Sequence, residues 1–85
     1  MKKFDYQYYG DAGHGWLRVR YSEIQNDLGK YTNYSYRKGN YAYLEHDLDA
    51  GVFLKAYKEK NGEYPNIKIH NTEWSKIRNY PRLKG

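Results

Sequence analysis

Cysteine is absent from this 85-residue chain, proline occurs twice and methionine once. The missing cysteine excludes disulfides, thiolate metal sites and cysteine nucleophiles together. Long hydrophobic runs are missing too. No stretch approaches the roughly 18 apolar residues of a membrane span, so no membrane partner is expected. Met1-Lys2-Lys3-Phe4-Asp5 has no apolar segment behind its lysines, so no secretory leader is expected and the cytoplasm is the default compartment. Leu, Ile, Val, Met and Phe are sparse. In their place stand 12 tyrosines and a formal charge of +5. Tyrosine joins a large apolar ring to a polar tip, so it packs a small core and still presents a contact surface. Interleaved with Arg and Lys, such rings suit stacking and phosphate contacts. The length fits a single domain over residues 1–85 with a small core. The abundance of aromatics argues against disorder.

Periodicity predicts the local structure. Residues 4–9 alternate and are aromatic, and Trp16-Leu17-Arg18-Val19-Arg20 alternates again. The glycine-rich stretch Gly10 to Gly15 between them predicts a hairpin, with its glycines at positive φ. Ser22-Glu23-Ile24-Gln25 has capping-box spacing, predicting a short helix to Leu28 with Gly29 as its stop. Tyr34 and Tyr36, then Tyr41 and Tyr43, alternate on either side of Lys38-Gly39-Asn40 and predict a second hairpin over 32–46. A main helix is expected from a cap at Asp47 or Asp49 to about Lys60, with Val52, Phe53, Ala56 and Tyr57 inward and Asn61-Gly62 ending it. A strand Ile67–His70 follows Pro65. A last helical turn capped by Asn71 or Thr72 would put Trp74 and Ile77 inside, before Pro81. The order ββαββαβα predicts a small α+β domain, one antiparallel sheet with the main helix on one face.

Most of the familiar chemical motifs fail on spacing. Gly10, Gly13 and Gly15 fit neither a P-loop nor a dinucleotide fingerprint, because a strand follows rather than a helix, and Asp11 would repel phosphate. A plain hairpin loop is the simpler reading. The functional one holds His14 out at the loop tip beside Trp16. His14, His46 and His70 with Glu45, Asp47 and Asp49 lack metal-ligand spacing. Asp47 to Gly51 departs from a calcium loop, since its glycine comes one place early and Lys58 stands where the bidentate acid belongs. These carboxylates read as a helix N-terminus suited to its dipole. Ser22, Ser35 and Ser75 have capping, strand or helix roles, and no nucleophile–base pair is recognisable. No cofactor and no metal is expected.

The basic and aromatic surface is the stronger signal. Between Leu28 and Leu44 lie Lys30, Arg37 and Lys38 with Tyr31, Tyr34, Tyr36, Tyr41 and Tyr43, and no acid. After Glu73 come Lys76, Arg78, Arg82 and Lys84, again without an acid. Such a face suits RNA or single-stranded DNA. It equally suits a protein interface, where Tyr and Arg are enriched at hot spots. The plainer alternative packs the tyrosines beneath the main helix and leaves the cations solvated. The candidate binding residues are His14, Trp16, Tyr34, Tyr36, Arg37, Lys38, Tyr41, Tyr43, Arg78 and Arg82.

Gly13-His14-Gly15-Trp16-Leu17, then Tyr34-Ser35-Tyr36, then Tyr43-Leu44-Glu45-His46-Asp47-Leu48-Asp49-Ala50 resemble a group of small proteins carried by bacteriophages and plasmids. In that group a Gly-His-Gly-Trp loop precedes a Tyr-rich hairpin and an acidic helix start. The resemblance spans about half the chain and carries over no residue roles. It implies a mobile-element accessory protein. Such proteins often bind and block host machinery, defence nucleases included. Leu48 stands where the group tends to have a cysteine, so cysteine chemistry is not implied. The leading expectation is a non-enzymatic protein that binds and blocks a host protein or ribonucleoprotein, such as a CRISPR or restriction complex. The alternative is direct RNA or single-stranded DNA binding by the Tyr-rich basic face. The third is a small histidine- or metal-dependent enzyme. The acids discriminate the first two: a nucleic-acid binder should hold Glu45, Asp47 and Asp49 away from its tyrosine face, whereas a protein interface accommodates both signs.

Overall fold

The computed structural model describes residues 3–72 and 75–84. Strands β1 (Tyr6–Gly10) and β2 (Gly15–Arg20) pair antiparallel, with Tyr8 opposite Leu17 and Gly10 opposite Gly15. Strands β3 (Tyr36–Lys38) and β4 (Tyr41–Glu45) form the second hairpin, turning at Gly39 with φ 60°. Both hairpins follow the period-2 alternation of their residues. The first loop departs from expectation. None of Gly10, Gly13 and Gly15 has positive φ. Gly15 is required for close approach instead, since a Cβ there would lie 1.7 Å from the Tyr8 hydroxyl.

Strand β4 also pairs with β2, setting Leu44 against Leu17 and Ala42 against Val19. Strand β5 (Ile67–Asn71) pairs with β1, giving the order β3-β4-β2-β1-β5. The domain is α+β as expected, but the sheet is mixed: β5 runs parallel to β1. The cause is the connection. Helix α1 (Asp49–Asn61) carries the chain from β4 over the sheet to β5, and such a crossover returns the chain in its original direction.

Gly62, with φ 82°, ends α1, and its N–H donates to the Lys58 carbonyl at 2.8 Å. Ala50, Phe53, Leu54 and Tyr57 face the sheet at i, i+3, i+4 and i+7. Val52 and Ala56, expected inside, are exposed. Leu48 is the N-cap residue and, being apolar, makes no side-chain capping bond, while the Asp49 carboxylate turns inward rather than capping the helix. The expected helix at 22–28 is instead two 3-10 turns, Tyr21–Glu23 and Gln25–Lys30, and Gly29 lies inside the second. Glu23, not Gln25, closes the start, accepting the Arg20 N–H at 3.1 Å and the Tyr6 hydroxyl at 2.8 Å. Asn26, Asp27 and Gly29 are poor helix formers, and burial of Ile24 anchors the segment instead.

The C-terminal segment covers the other face of the sheet. Ser75 caps a 3-10 turn at Lys76–Asn79, its Oγ accepting the Ile77 N–H at 3.2 Å. Ser75 takes the capping role expected of Asn71 or Thr72, and Trp74 lies outside the described residues. Residues 81–84 then run along β3: the Arg37 N–H donates to the Pro81 carbonyl and the Leu83 N–H to the Ser35 carbonyl. Two cores result. Leu17, Val19, Ile24, Ala42, Leu44, Ala50 and Phe53 fill the helix side. Trp16, Tyr43 and Ile77 fill the other, with Tyr9, Tyr36, Tyr41 and Tyr80 packed against them. No helix among the described residues is long and apolar enough to cross a membrane.

Candidate functional site

The loop after β1 is built by Asp11. Its Oδ1 accepts the N–H groups of Gly13 (3.2 Å) and His14 (3.0 Å), folding the loop back on itself. The same carboxylate reaches the C-terminal segment. It accepts Arg78 Nε at 2.8 Å and Nη2 at 2.6 Å, and the Ser75 N–H at 3.1 Å. Its side chain has no exposed surface. The Arg78 guanidinium, followed by these backbone donors, holds the Asp11 carboxyl far below the usual carboxylate range, while Asp11 raises Arg78 in return. Asp11 thus clasps the first hairpin to the last 3-10 turn. In the sequence alone Asp11 shows only as a group that repels phosphate. The signal was an Asp followed by glycines at turn spacing.

The clasp borders a cleft of about 480 Å³ lined by His14, Trp16, Tyr34, Tyr36, Arg78 and Arg82 together with Glu45, Asp47 and Leu48. Aromatic contacts run through it. The His14 and Trp16 rings are 6.0 Å apart, and Trp16 and Tyr36 meet edge-on at 6.2 Å. Arg78 lies 5.4 Å from the Trp16 ring and Arg82 4.8 Å from the Tyr36 ring. Trp16 is only 2% exposed, and its indole nitrogen has no hydrogen-bond partner among the described residues. Tyr34, 64% exposed in the turn before β3, stands at the rim.

Glu45 comes from β4, directly opposite Trp16 in register. Its side chain is nine-tenths buried, with Oε1 3.8 Å from His14 Nδ1, while Oε2 accepts the Asp47 N–H at 3.0 Å. The Glu45 N–H donates to Ser35 Oγ, and Ser35 Oγ donates to the buried Asp49 carboxylate. Asp49 also accepts the N–H and hydroxyl of Thr32. This network fixes the turn that carries Tyr34 against the start of α1. Asp49 is therefore a structural anchor behind the cleft.

Six sequence-derived candidates, His14, Trp16, Tyr34, Tyr36, Arg78 and Arg82, thus meet in one cleft. Four do not. Arg37 lies 3.5 Å from the Tyr21 ring and Lys38 4.7 Å from the Tyr80 ring, on the outer strand β3. Tyr41 stacks with Arg18 at 4.4 Å. Tyr43 is buried between Tyr9 and Tyr80, and burial raises its phenol. Tyr34 lies outside the strand, so three of the four hairpin tyrosines share a face, and Ile77 and Tyr80 cover it in part. The histidines separate: His46 faces Asp47 and His70 lies 2.6 Å from Gln7. Among the described residues no group of three or more His, Asp and Glu is placed to hold a metal.

No protein-family model matches the chain, nor does a curated protein or a solved structure.

Proposed function

We propose that this domain is a binding protein that recognises another protein through the cleft between His14 and Arg82. One observation carries the reading. Glu45 and Asp47 line the same cleft as Tyr34, Tyr36, Arg78 and Arg82. A nucleic-acid backbone laid there would bring phosphate against two carboxylates, whereas a protein surface can present both signs at matching positions. The aromatic lining supports the same reading, because Tyr, Trp and Arg dominate interface energetics. With the resemblance to phage and plasmid proteins, this reading becomes a mobile-element accessory protein. It would act in the host cytoplasm by covering a functional surface of a host protein or ribonucleoprotein, such as a defence complex, and not by catalysis.

A second reading, RNA or single-stranded DNA binding, draws on a different place. Arg18 lies between the Tyr9 ring at 5.9 Å and the Tyr41 ring at 4.4 Å, and His70 stacks on Tyr9 at 4.9 Å. A tagged pull-down from host lysate with and without nuclease separates the two. Protein capture that survives nuclease and is lost in Tyr34→Ala supports the cleft. Capture that depends on nucleic acid and is lost in Arg18→Ala supports the alternative. On the purified partner, salt should act mainly on the association rate under the first reading. Under the second, affinity should fall steeply with salt through counterion release.

A further inference from the structure

Resting on the protein-binding reading, we infer that the cleft takes one basic side chain of the partner, a lysine or an arginine, with its charged head against Glu45. Charge decides this first. Arg78 is neutralised by its two-pronged contact with Asp11, outside the cleft lining. That leaves two carboxylates, Glu45 and Asp47, against the one guanidinium of Arg82 in the cleft lining.

Glu45 decides it next. Its carboxylate is nine-tenths buried, Oε2 accepts the Asp47 N–H, and Oε1, 3.8 Å from the His14 ring, is left to the solvent of the cleft. An ammonium or guanidinium arriving at Oε1 would form a charge-assisted hydrogen bond there. The rings agree with this polarity. Tyr36 and the exposed Tyr34 offer aromatic surface for a long aliphatic stem and its cationic tip. A volume of about 480 Å³ accommodates such a side chain with part of its backbone. An anionic occupant fits less well. The Arg78 fork is already spent on Asp11, and Arg82 reaches the Asn33 carbonyl at 3.4 Å while lying over Tyr36. Such an anion would also face Glu45 and Asp47.

Three acetylated, amidated tripeptides test this, Gly-Lys-Gly, Gly-norleucine-Gly and Gly-Glu-Gly. Each is titrated into the full chain while the Trp16 indole N–H is followed by NMR, assigned with a Trp74→Phe variant. The lysine peptide should give a saturable shift with affinity on the order of millimolar. The norleucine peptide, which keeps the four-carbon stem but lacks the ammonium, should bind at least about tenfold more weakly, as should the lysine peptide to Glu45→Gln. Glutamine keeps an acceptor for the Asp47 N–H, and the backbone spectrum reports whether the fold is kept. Tyr34→Ala, at an exposed position, gives an independent arm and should weaken the lysine peptide several-fold. Equal binding of norleucine, preference for the glutamate peptide, or no saturable shift with lysine each overturns the inference. Those outcomes leave the interface reading standing if Tyr34→Ala still abolishes partner capture. Loss of that effect in the pull-down defeats the interface reading itself.

Discussion

The two faces of the sheet are built on different chemistry. The helix face is aliphatic at its centre, where Leu17 lies against Leu44 and Val19 against Ala42 beneath Ala50 and Phe53. The opposite face is aromatic and cationic, with Trp16, Tyr43 and Ile77 at its centre and Tyr9, Tyr36, Tyr41 and Tyr80 around them. A regular helix covers the first and a 3-10 turn covers part of the second, while the extended tail pairs along β3 and sends Leu83 into the helix-side core. Aliphatic side chains gain mainly by complete removal from water. Tyrosine with arginine gains from ring–cation geometry while its polar tips stay wet. The first face is thus suited to stability, and the second keeps half-buried surface available for contact.

The largest test of that contrast is in the cores. Leu17→Ala should cost about 3–5 kcal/mol, because the central strands cannot collapse onto the cavity. Ile77→Ala should cost less, about 2–3 kcal/mol, since a short covering segment can shift or detach. Denaturant unfolding measures both. Hydrogen exchange should show the second variant loosening residues 76–83 while β2 and β4 stay protected. Equal losses with global loosening in both variants would mean that the faces form one cooperative core.

Asp49→Ala should follow, at about 2–4 kcal/mol, because it leaves the Thr32 and Ser35 donors unpaired behind the cleft. It should also blunt partner binding by releasing the turn that carries Tyr34.

The Asp11–Arg78 clasp predicts a pH dependence confined to the second face. Arg78 holds the folded Asp11 carboxyl well below its unfolded value of about 3.9. The stabilisation is therefore fully present above that value and is lost progressively as pH falls below it. The melting-temperature gap between wild type and Asp11→Asn should be constant from about pH 5 to 7 and shrink below about pH 4. A gap independent of pH would remove the clasp's electrostatic role.

The smallest effect on stability sharpens the contrast most. Tyr34→Ala should change unfolding free energy by less than about 0.5 kcal/mol, its ring being mostly exposed. The same substitution should weaken partner capture strongly. A residue that matters for binding and little for folding is what the aromatic side should contain and the helix side should lack.

Both hairpins were readable from alternation around Gly10–Gly15 and around Gly39, and the end of α1 from Asn61-Gly62. These features are local, governed by side-chain period and, at Gly39 and Gly62, by the one residue that adopts positive φ cheaply. The parallel pairing of β5 with β1 joins residues some sixty positions apart and has no local signature. The inward stripe of α1 differs from the expected one because Val52 and Ala56 are as apolar as Ala50 and Leu54; only the position of the sheet selects between them. Asp11 and Glu45 were seen as charges but not as partners, since their roles depend on Arg78 and His14 arriving from elsewhere in the chain.

By itself, then, the amino-acid sequence determined both hairpins, the main helix, the α+β class and the supply of tyrosine and arginine, because propensity and periodicity act over a few residues. The tertiary structure alone decided which of them meet. Six of ten candidate residues converge on one cleft because the C-terminal segment folds back over β3 and Asp11 clasps Arg78. Glu45, the more buried of the two carboxylates in that cleft, comes there by β-sheet register, which places it opposite Trp16. Register and long-range closure are settled by global packing, and no local stretch of sequence encodes them.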